Sequence, residues 1–208
     1  MHFHGTLPAG LAGARRIFIT GQGGSGKSTF ARRIAAQRGL PCYLFDDIAY
    51  DPITHRRRSD EVRREAVQDI AAQTAWVVDC WYMAWTDDLL RQADLIIWLD
   101  LPWRVTGWRL LRRHVLADLA GNNAHPGLRK LFRFLWSERR GCLDPPSSQA
   151  DLLRRDANNR PATARVLAGH GAKVAHCRRS ADVAAVRRLL TGPPPASGRP
   201  PPGRPWCG

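Results

Sequence analysis

Short apolar runs alternate with amphipathic stretches along this chain, and that alternation predicts helices packed on a mostly parallel sheet. Five runs read as buried strands: residues 17–20, 42–45, 76–79, 95–100 and 173–177. Each is nearly all apolar, as expected of a strand covered on both faces. Residues 27–38 read as a helix, closed by Gly39 and Pro41. Ser59-Asp60-Glu61 opens another that runs to about residue 74, with Val62, Ala66, Val67 and Ile70 on one face. Thr86 with Asp87 and Asp88 starts a short helix, and Pro102 stands at the start of a longer one. Ser180 and Asp182 cap the last helix, which Gly192 and Pro193 end. No internal repeat is visible.

The junction between the first strand and the first helix carries the strongest chemical signal. Residues 21–28, "GQGGSGKS", fit G-x-x-x-x-G-K-[ST] in the strand–loop–helix context the motif requires. Gly21, Gly23, Gly24 and Gly26 let the backbone turn tightly and aim its N–H groups inward. With Ser25, Thr29 and the helix N-terminus they form an anion site suited to a nucleoside triphosphate. Lys27 would reach the β- and γ-phosphates, and the Ser28 hydroxyl would ligate Mg²⁺. The fold class this implies is a P-loop NTPase, a three-layer α/β/α domain with a five-stranded parallel sheet of order 2-3-1-4-5.

Phosphoryl transfer depends on positioning and charge neutralisation, so acids at strand ends and nearby arginines are the next candidates. Asp79 ends "AWVVD", a strand finishing in a carboxylate, and the order 2-3-1-4-5 sets it beside the phosphate-loop strand as a Mg²⁺-shell ligand. Asp100 ends "LIIWLD" and is assigned to capping the following helix. Asp46 and Asp47 follow the second strand. An acid there orients an acceptor hydroxyl, takes its proton or holds Mg²⁺ through water, and the alternative is a helix or turn cap. Asp47 is assigned to the acceptor. Trp81, Tyr82 and Trp85 either wall a ligand pocket or belong to the core. Residues 103–170 form an arginine-rich helical insertion placed to close over the site as a lid. Its candidates are Arg104, Arg109, Arg112, Arg113, Arg139 and Arg140, with Arg91 just before it; Arg109 and Arg113 are assigned to the phosphates.

Composition adds boundaries. A chain of 208 residues with 44% hydrophobic content suits one full-sized domain, here residues 15–190. Residues 1–14 read as a flexible leader and the Pro/Gly-rich residues 191–208 as a disordered tail. No apolar run is long enough to span a bilayer, and the N-terminus has no signal-peptide pattern. The five cysteines are scattered without a C-x-x-C, which suits a reducing cytoplasm. The net charge of +14 raises nucleic acid as a partner. Only three residues, Lys27, Lys130 and Lys173, are lysine, and the arginine excess equally suits a lid over polyphosphate.

The chain resembles the bacterial adenylate-kinase-like P-loop proteins known as topology modulation proteins. The resemblance rests on "ITGQGGSGKSTFARRIA", "LFDDIAY", "WVVDCWY", "LLRQADLIIWLDLPWRVTGWRLLRR", "LWSERRG" and "VAHCRRSADVAAVRRLL", and spans roughly residues 15–190. It implies a nucleotide-kinase-like fold using ATP and Mg²⁺, with the second-strand acid falling on Asp47, a fourth-strand arginine on Arg91, and a base-contacting loop at residues 177–183. The family's Asp-Gly-Asn-Tyr is Asp79-Cys80-Trp81-Tyr82 here, a departure at the acceptor pocket. The expected activity is transfer of the γ-phosphoryl of Mg-ATP to a small-molecule or nucleoside-monophosphate-like acceptor. The alternative is an ATP-dependent regulator that binds nucleic acid or a protein partner.

Overall fold

A computed structural model describes residue 8 and residues 10–81, 85–121, 127–143 and 159–192. Its sheet contains β1 (Arg16–Gly21), β2 (Cys42–Leu44), β3 (Trp76–Asp79), β4 (Leu95–Leu99) and β5 (Val174–Cys177). All pairs are parallel and the order is β2-β3-β1-β4-β5, the expected arrangement. The central strand β1 pairs with β3 on one side and β4 on the other, so residues 17–21 are all buried.

Side-chain alternation along the strands divides the core into two layers. On one face Ile17, Ile19, Val77 and Ile97 pack against Phe30, Ala31 and Ile34 of α1 (Lys27–Arg38), and against Val186 and Leu190 of α8 (Ser180–Leu190). On the other, Phe18, Val78, Ile96 and Trp98 meet Val67 and Ile70 of α3 (Asp60–Ala71), with Leu89 and Leu90 of α4 (Asp87–Gln92). A short α2 (Phe45–Ala49) follows β2. The insertion between β4 and β5 contains α5 (Trp103–Leu119), α6 (Leu128–Leu143) and α7 (Arg160–Ala168).

Helix ends follow local chemistry, with three corrections to the sequence reading. Gly39 ends α1 at φ 62°, a left-handed conformer suited to glycine. Ser59 Oγ accepts from the Val62 N–H and caps α3. Val62 itself does not join the buried face: it is 40% exposed, and Arg63 turns inward instead, its guanidinium 4.9 Å from the Trp85 ring centre. The long aliphatic stem of Arg63 covers apolar surface while Asp60 pairs with its head. Ser180 is the first residue of α8 rather than its cap. Asp182 reaches back, accepting from the Arg178 and Arg179 N–H groups at 3.1 and 2.9 Å.

Asp100 is the third correction. It does not cap α5; the carboxylate is buried and held by Arg160 through two hydrogen bonds of 2.7 and 2.8 Å and by His176 Nε2 at 2.8 Å. The His176 ring stacks on Trp98 with centroids 4.0 Å apart. A carboxylate with two cationic-type donors in reach is better satisfied there than at a helix end. The cluster joins the end of β4, strand β5 and the start of α7. Among the described residues, no disulfide joins Cys42, Cys80, Cys142 or Cys177, and no helix is long and apolar enough to cross a membrane.

Candidate active site

Gly21 to Gly26 connect β1 to α1, and their shape is set by close packing. A Cβ on Gly21 would lie 2.6 Å from the Leu99 carbonyl oxygen on β4. Gly24 and Gly26 have φ of 73° and 92°, which glycine adopts without penalty. Gln22 is buried and its Nε2 donates to the Leu101 carbonyl at 2.6 Å, tying the loop to the start of the insertion. Arg109 Nη1 donates to the Ser25 carbonyl at 3.0 Å from α5. The loop is therefore held open as a cradle by contacts behind it.

That cradle opens into a cavity of about 940 Å³ at the carboxyl ends of the strands, within the usual size of a ligand site. Gly23, Gly24, Gly26, Lys27, Ser28 and Thr29 form its floor. Asp79 enters from β3, whose register sets it level with Ile19 on β1. Its carboxylate is buried, lies near enough to the Ser28 hydroxyl to feel it, and leaves Oδ1 without a partner among the described residues. Burial raises its pKa, and the Lys27 charge and the Ser28 hydroxyl work against that rise. Lys27 Nζ lies 5.5 Å from the centre of the Trp81 ring.

The other walls come from α2, which brings Asp46 and Asp47, from Arg32 on α1, and from the insertion. Arg109, Leu110 and Arg113 of α5 and Phe134, Ser137 and Glu138 of α6 cover the phosphate loop. Glu138 Oε2 accepts a hydrogen bond from the Gly23 N–H at 3.0 Å, the kind of donor that such a loop offers to phosphate. Burial raises the Glu138 pKa, opposed by the Gly23 hydrogen bond and by the charges of Lys27 and Arg113.

Most assigned residues thus converge on one cavity: Gly23, Gly24, Gly26, Lys27, Ser28, Thr29, Asp47, Asp79, Arg109 and Arg113. Gly21 and Ser25 shape the loop from behind; Ser25 Oγ is buried without a partner among the described residues. Arg104, Arg112, Arg139 and Arg140 do not line the cavity, and Arg91 pairs with Asp88 on the surface. Trp81 is a wall of the cavity, whereas Trp85 packs on Phe45 with ring centres 5.2 Å apart. Tyr82 lies outside the described residues. Residues 177–183, assigned to base contact, do not line the cavity.

Two charged lining residues escaped the sequence reading, Arg32 and Glu138. The signal for Glu138 was present. Leu131, Leu135, Glu138 and Cys142 recur at helical spacing on the less exposed face of α6, and an acid within such a stripe faces the site.

The donor set fits Mg²⁺ with a triphosphate. The ion takes one or two carboxylates and completes its shell with water and phosphate oxygens, and the partnerless Asp79 Oδ1 beside the Ser28 hydroxyl offers that combination. No family model matches the sequence. No curated protein matches it. Among solved structures, a gluconokinase from Sinorhizobium meliloti 1021 aligns with a TM-score of 0.47 at 16% identity, over 85% of this chain and 89% of that one.

Proposed function

We propose that the chain is a P-loop phosphotransferase that uses Mg-ATP to phosphorylate a small-molecule acceptor. The observation that carries the reading is the buried Asp79 carboxylate, near the Ser28 hydroxyl and with one oxygen partnerless among the described residues, in a cavity it shares with a glycine cradle and two arginines. When bound, ATP with Mg²⁺ supplies the phosphoryl group and screens its charge. The chain's own groups do the rest. The loop N–H groups and Lys27 hold the β- and γ-phosphates, and Ser28 and Asp79 hold the metal. Arg109 and Arg113 stabilise charge on the transferring group. Asp47 faces the acceptor and takes its proton. The insertion helices α5 and α6 exclude water that would otherwise hydrolyse the donor.

The test is ADP release from Mg-ATP with a panel of nucleosides, nucleoside monophosphates, sugars and amino sugars. Acceptor-dependent ADP formation, abolished in Lys27→Ala, is the expected result. Normal turnover by Lys27→Ala would overturn the reading.

A further inference from the structure

The two ends of the cavity carry opposite charge. Strands β3 and β2 lie on one side of β1 and β4 on the other. On the β4 side, the insertion brings two arginines, Arg109 and Arg113, and one acid, Glu138, over the phosphate loop. On the β2–β3 side the wall is Asp46, Asp47, Asp79, Leu44 and Trp81. Two basic side chains reach this end among the described lining residues: Lys27, 5.5 Å from the Trp81 ring centre and assigned above to the phosphates, and Arg32, whose charge acts on both Cys42 of β2 and Asp79 of β3. Asp46 is also near enough for its charge to act on Asp79. With Asp79 committed to the metal, two carboxylates still face one guanidinium where an acceptor must sit.

We propose that this end selects an uncharged or amine-bearing acceptor rich in hydroxyl groups, of the polyol or amino-sugar class, and rejects phosphate monoesters and carboxylates. The inference rests on the phosphotransferase reading above and names the substrate class of the same site. Ionised carboxylates only accept hydrogen bonds, so Asp46 and Asp47 match hydroxyl and ammonium donors. A phosphate monoester requires guanidinium groups instead, and would bring its charge against two acids. The indole of Trp81, with Lys27 Nζ 5.5 Å from its ring centre, walls this end with an apolar surface for C–H groups of a ring. In the transfer, Asp47 takes the proton of the acceptor hydroxyl as that oxygen bonds to the γ-phosphorus. The bond from that phosphorus to the β-bridging oxygen breaks, and its electron pair leaves with ADP.

Diadenosine pentaphosphate tests the charge of this end directly, because it joins an ATP to the phosphate and nucleoside of a monophosphate acceptor. Calorimetry on the full chain compares it with Mg-ATP. The wild type is expected to bind it no more than about tenfold tighter than ATP, a gain of at most ~1.4 kcal/mol. The Asp46→Asn/Asp47→Asn double variant is expected to tighten the pentaphosphate about tenfold relative to ATP. Both positions are exposed, so the fold should persist. A larger preference in the wild type, or an unmoved ratio in the double variant, overturns the proposal and leaves the phosphotransferase reading standing. In a parallel turnover assay, glucose or glucosamine should release ADP in preference to AMP or gluconate, and the reverse preference overturns the proposal. Absence of Mg-ATP binding by the wild type sinks the phosphotransferase reading itself, and this inference with it.

Discussion

Glu138 on α6 accepts a hydrogen bond from the Gly23 N–H across 3.0 Å, so an acid from the insertion occupies a donor in the middle of the phosphate loop. In the proposed nucleotide complex a phosphate oxygen stands where this carboxylate does, and bound nucleotide would displace it. A hydrogen bond to a charged group contributes roughly 1.5–3 kcal/mol, so Glu138→Ala is expected to tighten Mg-ATP binding by about tenfold or more, read by calorimetry. The pH dependence has a defined sign. Burial raises the Glu138 pKa above the ordinary carboxylate range, against the pull of Gly23, Lys27 and Arg113. For a raised acid, the stabilising contribution is present at low pH and is lost as pH rises through the folded-state pKa. Protonation also removes the negative charge that competes with phosphate. Nucleotide affinity of the wild type, relative to Glu138→Gln, should therefore improve as pH falls through the raised value. Parallel pH profiles for the two proteins would refute the displaced-carboxylate account.

Asp79 leads to a prediction about metal dependence. Its buried carboxylate has one partnerless oxygen, and its pKa is raised by burial despite the nearby Lys27 and Ser28. In the metal-free protein the ionised carboxylate is therefore lost, as pH falls, at a higher pH than for a free aspartate, so Mg²⁺ affinity of the nucleotide-free protein should weaken as pH falls. Asp79→Asn should lower turnover about 100-fold, in line with the loss of a charge-stabilising group, and should flatten the response to Mg²⁺ concentration. Its melting temperature should not fall, since the amide removes a buried charge. A melt well below wild type would instead make Asp79 a structural residue.

What could be read from residues alone divides along physical lines. The strands and their order were legible because buried parallel strands write continuous apolar runs, as in "RIFIT" and "LIIWL". The loop was legible because glycines must recur where backbone approaches backbone, as Gly21 does at Leu99. Asp79 was legible through the strand that ends in it. Asp100 has the same local pattern and a different role, because its partners Arg160 and His176 are 60 and 76 residues away along the chain. The arginines of α5 separated only in three dimensions. Arg109 and Arg113 line the cavity, while Arg104 and Arg112 do not, although all four are exposed.

The Asp100 cluster predicts a stability effect distinct from activity. Burial works to raise the Asp100 pKa, but the hydrogen bonds from His176 and Arg160, with their charges, outweigh it and hold the carboxyl below its ordinary value. A depressed acid contributes stability above its unfolded pKa and loses it as pH falls through the folded one. The stability advantage of the wild type over Asp100→Asn should therefore shrink as pH falls through the folded-state pKa. At neutral pH the variant leaves Arg160 and His176 around a neutral group. Hydrogen bonds to a charged group contribute about 1.5–3 kcal/mol, and because the Arg160 side chain is 42% exposed, solvent screening sets the loss at the lower end. Urea melts should show a loss of that order. Unchanged stability would mean that the ion pair contributes nothing net.

Gly24 and Gly26 offer a controlled comparison of two costs in the same loop. Both have positive φ, 73° and 92°, so alanine at either pays about 1–2 kcal/mol for a left-handed backbone. Their surroundings differ. A Cβ on Gly24 would collide with the Thr106 carbonyl and come within 2.9 Å of Leu110 Cγ, both on α5. A Cβ on Gly26 would meet Arg109 Nη1 at 3.6 Å, an ordinary contact. Gly26→Ala should therefore lose only the backbone cost. Gly24→Ala must also push α5 away from the loop, which moves Arg109 off the Ser25 carbonyl and Arg113 off the cavity. It should be the less stable of the two by a further 1 kcal/mol or so, in the range seen for overpacking. It should also bind Mg-ATP more weakly. Chemical melts and calorimetry on the pair decide this, and equal losses in both would show that α5 does not bear on the loop as closely as the packing of Thr106 and Leu110 requires.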